Sequence, residues 1–187
     1  MDMPVLPTFA RNLRYQLWRE GTNREHWVAH LAGWLNCSER RALELLIGKT
    51  PNSKELQTLA QQTGIMEEQF HFNDLTKQIT ILAENLNYLV TAPKRGGKKE
   101  LAHHLNIRPG TLSRWLAGKQ RPNPKYQEMI KAYFGLPTAV DLETIPLFLE
   151  LSPVGSYEQR AWLRQRIEEL DDETLRVLFP ALEKLLR

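Results

Sequence analysis

The stretch of residues 101–122, LAHHLNIRPGTLSRWLAGKQRP, constrains the fold of this 187-residue chain more than any other segment. Its first apolar residues recur three and four positions apart, as they do on one face of a short helix. Asn106 then occupies a position where a residue that tolerates a positive φ fits best. Pro109 suits the first turn of a second helix, and Gly118 can end that helix in a left-handed conformation. The stretch therefore predicts two short helices that are joined by a tight turn.

A related pattern lies seventy positions earlier, in residues 31–51, LAGWLNCSERRALELLIGKTP. Identical residues stand at equal spacing in the two stretches: Leu31, Ala32, Leu35, Asn36, Gly48 and Lys49 match Leu101, Ala102, Leu105, Asn106, Gly118 and Lys119. After one inserted residue, PNSK at 51–54 matches PNPK at 122–125, and Gly64 matches Gly135. This many identities in order predict the duplication of a five-helix unit, and two copies are too few for a solenoid.

The fold class expected from these patterns is all-α, because apolar residues recur at helical intervals and alternating strand patterns are not evident. We expect a first helix-turn-helix module in residues 1–75, a second in residues 76–140, and a C-terminal segment in residues 141–187. In that last segment Ser156 and Gln159 form a capping-box pattern, and Asp171 begins an acidic first turn. Its two helices are expected to form a hairpin whose broad apolar face dimerises the chain or contacts a protein partner.

Charge is distributed unevenly along the chain, whose formal net charge is +3. Residues 77–136 carry 11 basic and 3 acidic side chains, whereas the segments before and after them carry net charges of −1 and −4. A basic region of this size within a near-neutral chain is the electrostatic footprint expected of a protein that binds a polyanion. A solvated basic face is the alternative interpretation of the charge alone.

Several classes of protein are not favoured. The chain has no apolar run of the roughly 18 residues that span a bilayer, and its first residues do not resemble a signal peptide. Cys37 is the single cysteine, so we expect no internal disulfide and a cytoplasmic location. His103 and His104 are neighbours that point apart on a helix, which makes them poor joint metal ligands. With no catalytic constellation in view, we predict no enzyme, no metal site and no cofactor.

The second module resembles the Xre-type family of phage lambda-repressor-like helix-turn-helix proteins over residues 77–136. The resemblance implies that the helix after the turn enters the major groove of DNA. It assigns base contacts to Arg108, Pro109, Gly110 and Arg114, with Thr111 and Ser113 on other sides of the same helix completing the candidate set. It assigns phosphate contacts to Lys98, Lys119 and Arg121, and the basic loop before Lys98 adds Lys94 and Arg95. Arginine is the usual reader of guanine, while phosphate contacts position the protein without specifying sequence.

Two departures from the family pattern bear on function. Pro109 and Gly110 stand where family members often carry polar readers, so direct readout is expected to be narrow. Leu116 replaces a common acidic residue, and apolar packing can substitute for the ion pair that this residue makes. A five-helix domain that has lost DNA binding is the alternative for this module.

The first module offers a weaker set of candidates, namely Ser38, Arg40, Arg41 and Lys49. Glu39 and Glu44 lie on the same predicted helix and would face phosphates unfavourably. Two interpretations therefore stay open for this module: a second DNA reader, or a scaffold and dimerisation module that keeps only the fold.

Taken together, these patterns predict a sequence-specific transcriptional regulator, expected to be a repressor, that binds double-stranded DNA as a homodimer through its C-terminal helices and lies on the nucleoid when bound. Dimers of this family imply half-sites about one DNA turn, roughly 34 Å, apart. The alternatives are an antitoxin that binds both DNA and a toxin, and a helical adaptor that binds another protein.

Overall fold

The computed structural model describes residues 6–91, 97–152 and 155–186, without the side chains of residues 157, 158, 161, 165 and 186. Across these residues the secondary structure consists of eleven α-helices and three short 3-10 helices, with no strand. The predicted all-α class is therefore confirmed. None of the helices in these ranges combines the length and the apolar character that a membrane crossing requires.

The chain divides into two compact units, and each unit is made from two separate segments. The first unit comprises Met1–Asn85 and Leu142–Leu151, and the second comprises Leu86–Asp141 and Ser152–Arg187. This division differs from the boundaries expected from the sequence, because residues 142–151 belong with the first unit rather than with the C-terminal segment.

Five α-helices form most of the first unit. They are α1 (Thr8–Arg19), α2 (Trp27–Leu35), α3 (Glu39–Leu46), α4 (Ser53–Thr63) and α5 (Glu67–Phe72), and 3-10 helices lie at Arg24–His26, Leu75–Gln78 and Leu147–Leu149. Large side chains from all five α-helices meet in one core, including Leu13, Trp27, Leu31, Leu45, Leu59 and Phe70, each fully buried.

Five α-helices lie wholly in the second unit, and α6 (Ile81–Thr91) passes from the first unit into the second. The five are α7 (Gly97–His104), α8 (Pro109–Leu116), α9 (Pro124–Phe134), α10 (Ser156–Glu168) and α11 (Asp172–Leu186). The buried core side chains of the helices up to α9 include Leu86, Leu101, Leu105, Leu112, Trp115, Ile130 and Phe134.

The duplication predicted from the sequence has a counterpart in local geometry. Asn36 and Asn106 both adopt the left-handed conformation, with φ of 47° and 52°. Asn52 and Asn123 both cap the helix that follows, accepting backbone N–H bonds of 2.9 and 3.0 Å. Asparagine suits both roles, because its short amide tolerates positive φ and accepts hydrogen bonds at helix N-termini.

The correspondence extends to the first helix of each repeat at a different offset, which the sequence comparison missed. In α1, Arg14 Nε donates to the carbonyl of Leu46 at 2.8 Å. In α6, Asn87 Nδ2 donates to the carbonyl of Leu116 at 2.9 Å. Both bonds satisfy the carbonyl of the last residue of the helix after the turn, α3 or α8. The offset here is 73 positions instead of 70, so a search at constant spacing does not find it.

Residues 142–151 are held on the first unit by buried hydrogen bonds and aromatic packing. Arg14 Nη1 donates to the Leu149 carbonyl at 2.8 Å, and Arg24 Nη1 donates to the Glu150 carbonyl at 2.7 Å. The ring of Phe148 lies 5.6 Å from that of Trp18, centroid to centroid. Burial lowers the pKa of Arg14 to about 10, which still leaves it charged at neutral pH.

Candidate nucleic-acid interface

Helix α8 is anchored by its inner face and presents its outer face to solvent. Leu112, Trp115 and Leu116 are buried, and the ring of Trp115 lies 5.3 Å from that of Tyr126 on α9. The turn before α8 is closed by a 3.0 Å bond from the Ile107 amide to the Ala102 carbonyl. The position of α8 is therefore set by packing and by the turn rather than by its exposed residues.

The candidate base-contacting residues lie on α8 or, for Arg108, at its N-cap. Thr111 is half-buried, and the other five are exposed: Arg108, Pro109, Gly110, Ser113 and Arg114. Ser113 Oγ already donates to the Pro109 carbonyl at 3.0 Å, so its hydroxyl proton is occupied. A methyl group added at Gly110 would meet no heavy atom within 4 Å, so the helix surface is open at that point.

The candidate phosphate-binding residues that the structure describes are exposed, before and after α8 along the chain. Lys98 lies exposed in the first turn of α7, and Lys119 and Arg121 lie exposed in the segment after α8. Lys94 and Arg95 lie outside the described residues.

The electrostatics of residues 97–136 favour an anionic partner. The segment carries eight basic and two acidic side chains. One of the two acids, Glu128, is paired with Lys131 at 2.6 Å, and Lys131 also donates to the Thr138 carbonyl. Among the described residues, none forms an ion pair with Arg108, Arg114 or Lys119.

The equivalent surface of the first unit has a different electrostatic character. Arg41 donates to both carboxylate oxygens of Glu55 at 2.8 Å and to the Thr50 carbonyl at 3.0 Å. The hydrogen bonds with Glu55 are the largest cause that raises the pKa of Arg41, and the same bonds are the main cause that lowers the pKa of Glu55. Ser38 Oγ accepts from the Arg41 amide at 3.3 Å as the N-cap of α3.

Glu44 pairs with the remaining basic candidates of the first unit. Its carboxylate lies 2.8 Å from Lys49 Nζ, 3.4 Å from Arg41 Nη1 and 3.7 Å from Arg40 Nε. The hydrogen bond from Lys49 is the largest cause of the lowered pKa of Glu44. All three cations that the sequence nominated here are thus paired with carboxylates of the same unit.

The two repeats align at an offset of 70 residues, or 71 after the inserted residue, and the aligned positions differ in charge and polarity. Arg41 corresponds to Thr111, Glu44 to Arg114 and Glu55 to Tyr126, so the ion-paired group is absent from the second unit. Large apolar residues occur only on the first of the two aligned faces: the exposed Leu43 and Ile47 of α3 correspond to Ser113 and Ala117 in the second unit. One repeat therefore presents a neutralised, partly apolar face, and the other presents a polar, cationic face.

Of the histidines and the cysteine considered in the sequence, His104 and Cys37 pack against neighbouring side chains. In the described ranges, no group of three or more His, Cys, Asp or Glu side chains is placed to hold a metal ion. His104 packs its ring 4.6 Å from that of Tyr133. Cys37 is half-buried, and burial is the largest cause that raises the pKa of its thiol, which disfavours the reactive thiolate.

Comparisons with protein-family models, with curated proteins and with solved structures find no match to this chain.

Proposed function

We propose that the second unit binds double-stranded DNA with α8 in the major groove, as a sequence-specific transcriptional regulator of the kind that the Xre-type family exemplifies. The observation that carries this proposal is the outer face of α8. It holds exposed arginines without an acidic partner in the described residues, on a helix whose inner face is buried. A rigid helix that offers unpaired guanidinium groups meets the main requirements for reading guanines in a groove.

Arg114 is the proposed principal base reader. Gly110 lies four residues before it, hence on the same face of α8, and has no side chain to hold the backbone away from DNA. Arg108 precedes the helix in extended conformation, with φ of −69° and ψ of 141°, and is proposed to reach either a base edge or the adjacent phosphate. With only two arginines and a Pro-Gly pair at the start of α8, the proposed direct readout covers few base pairs.

The proposed phosphate contacts come from the start of α7 and from the segment that follows α8. Lys98 lies at the start of α7, and Lys119 and Arg121 follow α8, so these cations flank the reading face along the chain. Lys94 and Arg95 would add to the same set from the preceding loop. Such contacts supply affinity and its salt dependence, and they do not discriminate between sequences.

We propose that the first unit does not read DNA. Arg41 and Lys49 would have to leave carboxylates at hydrogen-bonding distance, and Glu44 would lie where DNA presents phosphates. The exposed Leu43 and Ile47, at 43% and 53% exposure, favour contact with protein at this face instead. An adaptor role for the first unit is therefore the second candidate function, alongside DNA binding by the second.

The test begins with the full chain and a random-sequence duplex library, from which bound DNA is selected. Affinity for the selected site and for a scrambled duplex is then measured by fluorescence anisotropy at several salt concentrations. Arg114→Ala should weaken binding to the selected site by about 1–3 kcal/mol and relax discrimination at one base pair. Lys119→Ala should weaken binding to both duplexes alike and lower the salt slope by about one.

Arg40→Ala is the matched control, because Arg40 is an exposed arginine on α3 with only a 3.7 Å surface ion pair. It should leave DNA affinity unchanged. If Arg114→Ala does not reduce affinity, α8 is not the reading helix, and if Arg40→Ala reduces affinity equally, the first unit also contacts DNA.

A further inference from the structure

The C-terminal helices α10 and α11 leave their apolar side chains uncovered within the chain. Every described side chain from residue 156 to residue 185 is exposed or half-buried. Seven large apolar side chains are exposed by at least 40%: Trp162, Leu163, Ile167, Val177, Leu178, Phe179 and Leu185. Where they are described, α10 and α11 make only sparse contact with each other, so the predicted hairpin does not bury its own apolar faces.

These helices are nevertheless attached to the second unit at one end. The amide of Ser156 donates to the Gly135 carbonyl at 2.9 Å, and a side chain at Gly135 would collide with Ser156. Short helices gain most of their stability from packing an apolar face, so two largely uncovered helices imply a covering surface from outside the chain.

The spacing of the leucines in α11 indicates what that surface is. Leu175, Leu178, Leu182 and Leu185 are separated by three, four and three residues, which places them on one stripe of the helix. This spacing is the same when it is read backwards, and its midpoint is Pro180. Two copies of α11 that run antiparallel therefore place Leu175 opposite Leu185 and Leu178 opposite Leu182, in both directions at once.

Charge decides between the two orientations of such a pair. Five of the six residues from 168 to 173 are acidic, at the N-terminal end of α11, whereas Lys184 and Glu183 lie near its C-terminal end and Arg187 follows in the sequence. A parallel pair would place two acidic runs side by side. An antiparallel pair separates them by about the 22 Å length of the helix and brings each beside an end with basic residues.

We propose that α11 pairs antiparallel with α11 of a second copy of this chain, around a two-fold axis near Pro180. The exposed face of α10 packs beside this seam and completes a four-helix arrangement. The pairing does not depend on DNA binding. If the proposed DNA function also holds, the dimer carries two reading helices and selects inverted half-sites.

The first test measures the mass of the full chain by light scattering without DNA. The expected mass is twice 21.8 kDa, and Leu178→Glu should return it to 21.8 kDa because a carboxylate cannot be buried unpaired in an apolar seam. Phe72→Glu is the matched control, an exposed apolar residue at the end of α5 in the first unit, and should leave the dimer intact. Circular dichroism checks that both variants keep their helices. A monomeric wild-type chain overturns the proposal, as does a dimer that Leu178→Glu leaves intact.

The second test determines orientation by disulfide crosslinking in a Cys37→Ser background. Cysteine at Ala181, one residue from the proposed axis, should crosslink to itself between two copies. Cysteine at Leu185 should not crosslink to itself, because the two positions lie about 15 Å apart along the antiparallel seam, beyond the reach of a disulfide. It should crosslink to cysteine at Leu175 when the two variants are mixed. Self-crosslinking at Leu185 would mean a parallel pair and would reject the proposal.

Discussion

Exchanges at two facing positions account for much of the contrast between the two repeats. At one position the first unit has Arg41 and the second has Thr111, and the opposing helix supplies Glu55 in one case and Tyr126 in the other. The side chain of Glu55 is only 11% exposed, so its charge is stabilised chiefly by the two-pronged bond from Arg41. This pair is a structural feature of the first unit, and it removes a cation from the surface that a DNA reader would need.

Glu55→Gln isolates the contribution of that charge, because glutamine can keep the capping bond to the Asn52 amide. At pH 7 we expect a loss of about 1–3 kcal/mol in the free energy of unfolding. The pKa of Glu55 is lowered in the folded state, so its stabilising effect is present above about pH 4.3 and disappears as the pH falls through the folded-state value.

Urea denaturation followed by tryptophan fluorescence, at pH 7 and at pH 3, measures both effects. The difference between wild type and Glu55→Gln should shrink at the lower pH. Lys49→Ala, which removes an exposed ion pair, serves as the control and should cost no more than about 1 kcal/mol. Equal losses in the free energy of unfolding for the two variants would show that the Arg41–Glu55 pair stabilises the fold no more than an exposed ion pair does.

At the scale of elements, the turns before α3 and α8 each depend on one asparagine in the left-handed backbone conformation. Asn36 and Asn106 adopt positive φ, which directs the chain from α2 into α3 and from α7 into α8. The sequence comparison identified both residues as turn formers, because asparagine is among the few residues that adopt this conformation at little cost. The backbone conformation of Asn106 therefore sets the direction in which the chain enters α8.

Asn106→Val should destabilise the second unit by about 1–2 kcal/mol, since a β-branched residue is strained at positive φ. Asn106→Gly should stay close to wild type, because glycine adopts this conformation freely. Thermal and urea denaturation of the full chain measure the two effects. Similar losses for valine and glycine would mean that the asparagine side chain, and not the backbone conformation, stabilises the turn.

At the scale of the whole molecule, the main feature is the order in which the chain contributes to the two units. The chain forms most of the first unit, continues into the second at Leu86 and returns to the first at residues 142–151. The segment at residues 142–151 lies in sequence between the two segments of the second unit, yet its side chains are buried with those of α1. Phe148 is fully buried, beside Tyr15 and Trp18. The first unit is consequently completed only after the whole of residues 86–141 has been synthesised.

Phe148→Ala should destabilise the first unit by about 3–5 kcal/mol, the usual cost of removing a large buried aromatic side chain. Hydrogen exchange followed by mass spectrometry should show that peptides from α1 lose protection, while peptides from α7 to α9 keep it. Leu151→Ala, at a partly buried position in the same segment, is the milder control. Loss of protection in α8 as large as that in α1 would contradict the assignment of this segment to the first unit.

The amino-acid sequence by itself determined the helical class and the turn at Asn106, because these depend on local backbone preference and on apolar periodicity. It also identified the exposed cations of α8 as candidates, although it nominated Arg41 with the same reasoning. Only the tertiary structure decided that Arg41 is held by Glu55, since the two become neighbours when α4 packs near α3. Only the tertiary structure placed residues 142–151 on the first unit, through bonds such as that between Arg14 and Leu149, 135 positions apart. Such pairings depend on which distant segments are brought together by burial of the whole core, and no local pattern encodes that.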